Sequence, residues 1–216
     1  MESSPFKALL VEGTSGVGKS ALIDALIRRH AENSPIRKIR TFVHLAQSHT
    51  YGPLAVAEDQ RTLTPAENIR HLDRILGMLE WFEAGVRRHS QAWCFVLIDT
   101  LHITHCVRPG VVRWADVSDI DERLAAIGCK LLFLEASPAD IWKQGIEPRR
   151  DTQFLREYAR KFGSCEHEIH QYFVDEQRTI ADLFSRSTMP KCQFGASQDT
   201  TGLVNMAYQL WNDSSS

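Results

Sequence analysis

The stretch VEGTSGVGKSALIDALIRRH, residues 11–30, places a glycine-rich segment between a short apolar run and a pattern typical of a helix. Within it, GTSGVGKS matches G-x-x-x-x-G-K-[ST] at each fixed position, which are Gly13, Gly18, Lys19 and Ser20. Glycines let the backbone turn sharply and bring its amides close to an anion, and the N-terminus of the following helix points to the same place. The stretch therefore predicts a strand, a phosphate-binding loop and a helix, with a chance glycine turn as the alternative.

The residue types in this loop suit the tail of a nucleoside triphosphate bound with Mg²⁺. Lys19 places a positive charge against the terminal phosphates, and the hydroxyl of Ser20 is a ligand for Mg²⁺. ATP is the expected nucleotide, and the sequence leaves GTP open. The predicted nucleotide contacts are Gly13, Thr14, Ser15, Gly16, Val17, Gly18, Lys19, Ser20 and Ala21.

The composition is typical of one folded domain over residues 1–216. Hydrophobic residues make up 43% and charged residues 24% of the chain, and a net charge of -2 offers no basic surplus for nucleic acid. No leader pattern and no run of about 18 apolar residues is present, so we expect neither a secretory signal nor a membrane span. The 5 scattered cysteines lack a CxxC pair, which favours reduced thiols and a cytoplasmic protein.

Apolar runs typical of buried strands alternate with helical patterns along the chain. The runs are KALLV, IRTFVHL, WCFVLI, KLLFL and CQF, and such near-continuous apolar strands are typical of a parallel sheet covered on both faces. Thr64, Pro65 and Glu67 form a capping-box signature at the start of the longest clear helix. Helices are predicted over residues 21–29, 65–89, 118–127, 154–185 (with a break near Gly163) and 203–211, and after Ser137. This alternation predicts an open α/β sheet.

In these segments the chain resembles the thymidylate kinase and deoxynucleoside kinase group of P-loop kinases. The resemblance lies in four segments. The first strand and loop of that group resemble LLVEGTSGVGKS, and its strand with an acidic end resembles CFVLIDT. The fourth strand with its helix resembles KLLFLEASPADIW, and the arginine-bearing lid resembles EPRRD. The resemblance implies a P-loop NTPase three-layer fold with a five-stranded parallel sheet and a helical lid at about 145–162. It also implies transfer of the ATP γ-phosphate to a nucleoside or nucleotide, with catalytic residues Lys19, Asp99, Arg149 and Arg150.

Asp99 and the two arginines also have an interpretation of their own. Four apolar residues followed by Asp are typical of the second metal-binding element of a P-loop protein, where the carboxylate can hold the water shell of Mg²⁺ or take a proton from the acceptor. The structural alternative is that the Asp99 side chain caps a helix or a turn. The forked donors of Arg149 and Arg150 suit the charge of a migrating phosphoryl group, with a solvated pair as the alternative.

Three departures from the kinase pattern bear on the acceptor. In the resembled kinases an arginine follows the acidic residue at the strand end, but here that position is Thr100. Those kinases also carry an arginine in the long helix, where this chain has Met78, although Arg70 and Arg74 lie nearby. The segment HLAQSHTYGP also lacks the expected acidic motif. Because a nucleotide monophosphate is a dianion that needs arginines, we expect an acceptor hydroxyl on a molecule without phosphate, nucleoside-like or antibiotic-like. A nucleoside monophosphate kinase is the alternative, and an NTP-hydrolysing switch without an acceptor is the alternative of another class.

The candidate acceptor-binding residues follow the second and third predicted strands, at the edge where open α/β sheets bind ligands. They are His49, Tyr51, His102, His105 and Arg108. For each of the three histidines, the alternative is a ring that faces solvent or is satisfied in the interior. His167 and His170 are one helical turn apart, but no third ligand has matching spacing, which favours a helix surface over a metal site. A small-molecule acceptor is the expected partner, and the sequence leaves a homodimer open.

Overall fold

The computed structural model describes residues 4–33, 39–50, 64–89, 91–107, 112–150, 152–153, 162–195 and 200–212. Five strands in these segments form one parallel sheet in the order β2-β3-β1-β4-β5, which confirms the predicted sheet. The central position of β1 places the loop that follows it in the middle of the carboxyl edge. The strands are β1 Phe6–Glu12, β2 Ile39–Leu45, β3 Ala92–Asp99, β4 Cys129–Glu135 and β5 Lys191–Gly195.

Helices connect and cover these strands. In the described segments they are α1 Lys19–Glu32, α2 Gln47–Thr50, α3 Pro65–Arg87, α4 His102–Val107, α5 Trp114–Ala126, α6 Pro138–Ile141, α7 Glu166–Arg186 and α8 Thr200–Asn212. After α6 the chain continues through a π-helical turn, Trp142–Ile146, and a 3-10 turn, Glu147–Arg149. The sequence predicted the helix after Ser137 but not this change of helical type.

The start of α3 follows from its sequence. The side chain of Thr64 accepts a hydrogen bond from the backbone N–H of Glu67 at 3.3 Å, and the Glu67 carboxylate accepts one from the backbone N–H of Thr64 at 2.8 Å. This confirms the predicted capping box, with Pro65 at the first helical position. The helix ends at Arg87, slightly before the predicted end at residue 89.

Helices α5 and α7 begin furthest from their predicted starts. Helix α5 starts at Trp114 rather than at residue 118, because the Asp116 carboxylate accepts hydrogen bonds from the backbone N–H and the guanidinium of Arg113 and so closes the first turn. Helix α7 starts at Glu166 rather than at residue 154. Residues 162–165 are not helical, which agrees with the break predicted near Gly163, and residues 154–161 lie outside the described part.

Apolar side chains cover both faces of the sheet, as the apolar strands predict. Leu10 and Phe133 lie in the core beneath α3, α5 and the second half of α7. Leu9 and Leu97 lie in the core on the opposite face, beneath α1 and α8. Alternate residues of the three central strands β1, β3 and β4 therefore supply the two cores, and the carboxyl edge of the sheet is left for polar side chains.

A buried carboxylate ties α5 to the segment before β5. Asp121 is 1% exposed; it contacts Nε2 of His102 at 3.0 Å and accepts hydrogen bonds from Ser187 Oγ and the Thr188 backbone N–H, both at 2.7 Å. Burial alone would raise the pKa of Asp121, but these hydrogen bonds lower it from 3.8 to about 2. The anionic form therefore stabilises the fold above about pH 3.8, and this contribution is lost as the pH falls through about 2.

We expect Asp121→Ala to lower the free energy of unfolding by about 3 kcal/mol at pH 7, because it leaves buried donors without their acceptor. Urea unfolding followed by circular dichroism measures the change. Asp119→Ala, at an exposed position of the same helix, is the matched control and should cost less than about 0.5 kcal/mol. Equal losses in the two variants would contradict the anchoring role of Asp121.

Candidate active site

The loop between β1 and α1 has the backbone geometry that its glycines predict. Gly16 and Gly18 adopt positive φ angles of 87° and 91°, a region that favours glycine. Gly18 is also the N-cap residue of α1, and no described side chain forms a capping hydrogen bond at this helix start. The start of α1 therefore has no described side-chain cap, which suits a helix N-terminus that binds an anion such as a phosphate group.

Lys19 and Thr14 hold the loop from two sides. The ammonium group of Lys19 donates to the carbonyl oxygens of Gly13 at 2.6 Å and Thr14 at 2.9 Å. The hydroxyl of Thr14 donates to the buried carboxylate of Glu176 in α7. Because these bonds set the loop backbone before any phosphate binds, little reorganisation is needed on binding.

A cavity of about 610 Å³ opens beside the loop at the carboxyl edge of the sheet. Lys19, Asp99 and Arg149 all line it, so three parts of the chain that the sequence predicts to act together do meet. Sequence reasoning missed three polar lining residues, Gln47, Gln144 and Thr152. Three predicted nucleotide contacts, Gly13, Thr14 and Val17, are buried and are not among the described lining residues. Among the described residues, the lining consists of Ser15, Gly16, Gly18, Lys19, Ser20, Ala21, Gln47, Asp99, Gln144, Arg149 and Thr152.

Asp99 ends β3 at this cavity, and its surroundings are unusual for a carboxylate. The residue is 9% exposed, and its Oδ1 atom forms no hydrogen bond with any described residue. Burial raises the pKa of Asp99, whereas Lys19, His44 and a hydrogen bond from the Gln47 backbone lower it. A buried carboxylate oxygen without a partner is costly, so Oδ1 is well placed to receive a hydroxyl group or a metal-bound water.

The turn after Asp99 is held by a carboxylate that sequence reasoning missed. Thr100 has a positive φ of 58°, which is unusual for a β-branched residue. The backbone N–H of Leu101 donates to Glu12 Oε1 at 2.8 Å, and Thr104 Oγ1 donates to Oε2 at 2.5 Å. Burial raises the pKa of Glu12, while these two hydrogen bonds lower it. Glu12 thereby fixes the chain direction after Asp99, and the signal for it was a charged residue closing an apolar run.

The structure places two predicted acceptor-binding histidines in the interior. His102 and His105 are both 0% exposed. His102 contacts Asp121, and His105 contacts the side-chain oxygen of Asn68 at 3.1 Å and the carbonyl oxygen of Thr50 at 3.0 Å. The expectation that these rings line an acceptor pocket is therefore wrong, because α4 packs against α5 and α7 and turns both rings inward.

The other three acceptor candidates receive no support from the described residues. His49 lies in α2 with an exposed side chain, and it is absent from the described lining of the cavity. Tyr51 and Arg108 lie outside the described residues. For all three positions, acceptor binding stays a prediction.

The two adjacent arginines of the predicted lid have different surroundings. Arg149 lines the cavity, and burial lowers the pKa of its guanidinium. Arg150 instead donates from Nε to the Glu166 carboxylate at 2.9 Å and lies over the Trp142 ring, 5.8 Å from its centroid. Of the predicted lid at 145–162, the structure describes 145–150, 152–153 and 162. Within this part, Arg149 is the arginine that faces the cavity.

One of the paired histidines in α7 has a packing role. His170 Nε2 contacts the Pro138 carbonyl oxygen at 2.7 Å, and its ring packs edge-on to Trp142 at 5.4 Å.

In the described segments, no group of three or more His, Cys, Asp or Glu side chains is arranged to hold a metal ion. No helix in those segments has the length and apolar character needed to span a bilayer.

The π-helical turn lies directly against the phosphate-binding loop. A Cβ atom added to Gly16 would lie 2.4 Å from the Cα atom of Gly145, so this approach requires glycine. π-helical turns are frequent at functional sites. Here the turn places Gln144 at the cavity and leads into the 3-10 turn that ends at Arg149.

We expect Gly16→Ala to weaken the predicted binding of ATP about tenfold, because the new methyl group pushes the loop away from the turn and strains a left-handed residue. Isothermal titration calorimetry measures the affinity. Gly77→Ala in α3 is the matched control, since a Cβ there meets no atom within 4 Å. An affinity that is unchanged in Gly16→Ala would show that this approach is unimportant for binding.

Comparison with known proteins supports the fold but gives no family assignment. No protein-family model and no curated protein sequence matches the chain. The structure is similar to that of YorR protein from Bacillus subtilis, determined in complex with phosphorylated GDP, with a TM-score of 0.55 and 12% identity over 92% of each chain. Thymidylate kinase from Candida albicans gives a TM-score of 0.48 and 11% identity, over 97% of this chain and 92% of that chain. The narrower resemblance to thymidylate and deoxynucleoside kinases stays a prediction, whereas the sheet order and the similarity to YorR show an α/β fold with a five-stranded parallel sheet and flanking helices.

Proposed function

We propose that this chain is an ATP- and Mg²⁺-dependent phosphotransferase that moves the γ-phosphate to a hydroxyl group of a small molecule. The observation that supports it is the cavity in which Lys19, Ser20, Asp99 and Arg149 meet. A loop with its lysine is enough to hold a nucleotide. A carboxylate with an unpartnered oxygen and an arginine at the same cavity are the additional groups that phosphoryl transfer uses.

The loop residues fit the tail of a nucleoside triphosphate. The close approach at Gly16, which only glycine allows, and the start of α1, which no described side chain caps, suit close approach of phosphate oxygens. Ser20 would hold Mg²⁺ through its hydroxyl group, and Asp99 would hold it directly or through water. When bound, Mg²⁺ offsets negative charge on the phosphates. ATP is the proposed donor, and GTP belongs in the same assay because the YorR structure contains phosphorylated GDP.

The reaction would use Asp99 on the acceptor and the two cations on the phosphoryl group. As the acceptor oxygen bonds to the γ-phosphorus, the bond from that phosphorus to the β–γ bridging oxygen breaks, and ADP leaves with the electron pair. The hydroxyl proton passes to Asp99, whose Oδ1 has no partner in the described part of the chain. Lys19 and Arg149 offset the charge that spreads over the migrating group.

The charges at the cavity favour an acceptor without a phosphate group. Lys19 and Arg149 are the cationic residues of its described lining, and the migrating phosphoryl group engages both. A nucleoside monophosphate would bring a further dianion. Arg70 and Arg74, the nearby arginines of α3, are exposed and do not belong to that lining. A nucleoside-like or antibiotic-like hydroxyl compound is therefore the proposed acceptor.

An ADP-release assay with MgATP, repeated with GTP, tests the proposal over nucleosides, nucleoside monophosphates, sugars and hydroxyl-bearing antibiotics. We expect a compound without phosphate to stimulate release. Stimulation by monophosphates alone would identify a nucleotide kinase instead. Steady hydrolysis that no added compound changes would identify an NTP-hydrolysing switch, and both results would contradict the proposed acceptor.

We expect Arg149→Ala to lower kcat about 100-fold, because the migrating phosphoryl group loses a charged donor at the cavity. Arg150→Ala is the matched control, since Glu166 and Trp142 hold that guanidinium, and it should change kcat less than about threefold. Initial rates with the responding acceptor of the screen measure both. Comparable losses in the two variants would contradict this division of roles.

A further inference from the structure

A histidine outside the predicted set lies beside Asp99 on the same face of the sheet. In the parallel pairing of β2 with β3, His44 lies opposite Leu97, and residues paired in this way share a face. Leu97 belongs to the core beneath α1 and α8, and Asp99 follows it by two positions on β3, hence on that same face. His44 and Asp99 are therefore diagonal neighbours near the carboxyl edge.

Both side chains bury a polar atom that lacks a partner. Nε2 of His44 and Oδ1 of Asp99 are hidden from solvent, and neither forms a hydrogen bond with a described residue. The charge of His44 is close enough to lower the pKa of Asp99. Buried polar groups are nearly always satisfied in native proteins, and one polar ligand between these neighbouring strands would satisfy both atoms.

We propose that His44 is a further acceptor-binding residue, whose Nε2–H donates a hydrogen bond to the acceptor oxygen while Asp99 accepts the hydrogen of the same hydroxyl group. This inference rests on the proposed function. A hydroxyl group suits the pair because it donates and accepts at once, whereas an ionised carboxylate only accepts and an imidazole N–H only donates. The acceptor oxygen, held from both sides, is oriented toward the γ-phosphorus.

His44 also accounts for a departure noted in the sequence. The segment HLAQSHTYGP has no carboxylate where the resembled kinases carry an acidic motif, and His44 lies at its start. The charged neighbours of Asp99 on this face are Lys19 from α1 and His44 from β2, both of which lower its pKa. An imidazole donor adds no negative charge near the triphosphate. Asp99 is then the single carboxylate that receives the proton.

The test uses MgADP with aluminium fluoride, which imitates the migrating phosphoryl group and takes water in place of the acceptor hydroxyl. Calorimetry measures the affinity of MgADP with and without aluminium fluoride in the wild-type chain and its variants. In His44→Leu we expect the gain from aluminium fluoride to fall about tenfold, with the affinity for MgADP alone unchanged within about twofold. His44→Gln keeps an N–H donor and should retain the gain within about threefold.

The control is His89→Gln, at an exposed position two residues after the end of α3, which should match the wild-type chain. An undiminished gain in His44→Leu would overturn the inference. The unsatisfied atoms of His44 and Asp99 would then be explained by an ordered water between the two side chains. An equal loss of affinity for MgADP alone, or failure of His44→Gln to restore the gain, would assign His44 to packing and also overturn it. If wild-type chain binds MgADP but shows no gain from aluminium fluoride, the proposed transfer function itself fails.

Discussion

Replacement of Lys19 by alanine should lower kcat by a factor of about 10²–10³, the loss typical of removing one preorganised donor from a developing negative charge. The ammonium group already lies within the loop, where it donates to the carbonyl oxygens of Gly13 and Thr14. The substitution therefore removes both a positive charge at the phosphates and two bonds that shape the loop. We also expect weaker binding of ATP, since the ground state uses the same charge.

Initial rates of ADP release measure kcat, and calorimetry measures the affinity for ATP. Arg28→Ala is the matched control because it removes a cation from an exposed position of the same helix, and both quantities should stay within about twofold of the wild-type values. Full turnover in Lys19→Ala would remove the basis for assigning the loop to phosphate binding, and the proposed function would fall with it.

The elements that the sequence predicts well are those whose signals are local. The phosphate-binding loop depends on glycines, a lysine and a serine within one short stretch, and the capping box of α3 depends on Thr64, Pro65 and Glu67. The position of Asp99 at the cavity also followed from a local pattern, because parallel strands end at a common edge and an Asp closed an apolar run.

The residues that sequence reasoning missed act through contacts between distant segments. Glu12 holds the amide of Leu101, Glu176 holds the hydroxyl of Thr14, and Gly145 approaches Gly16. Each contact joins the end of β1 or its loop to a segment far along the chain. A single sequence records the residue types in such pairs but not their proximity, so no spacing rule finds them.

Errors arose where packing decides between two orientations of a polar side chain. His102 and His105 follow a ligand-binding strand end, which made them plausible acceptor ligands, but α4 turns their rings toward the interior. Packing also separates Arg149 from Arg150, which are adjacent in sequence and yet lie at the cavity and beside Glu166 respectively; a catalytic role for Arg150 stays a prediction. In each case the sequence indicates a group capable of the chemistry, and the geometry of a short helical turn decides whether that group reaches the site.

Asp99→Asn should lower kcat by a factor of about 10²–10⁴, the contribution typical of general acid–base catalysis, because an amide of the same shape cannot accept the hydroxyl proton. The affinity for MgATP should change less than about threefold if Asp99 acts on the acceptor, whereas a large loss would assign it to the metal. Burial raises the pKa of Asp99, which means that the protein disfavours its charge. We therefore expect the neutral variant to unfold at the wild-type temperature or above it.

Rapid-quench measurement of the transfer step, calorimetry with MgATP and thermal unfolding test these three expectations in one variant. Asp24→Asn is the matched control, since it makes the same chemical change at an exposed position of α1. A transfer rate that survives in Asp99→Asn would place the proton acceptor elsewhere. A slower rate combined with a lower unfolding temperature would instead mean that Asp99 acts mainly through the turn at Thr100, because the raised pKa predicts a fold that is at least as stable without the charge.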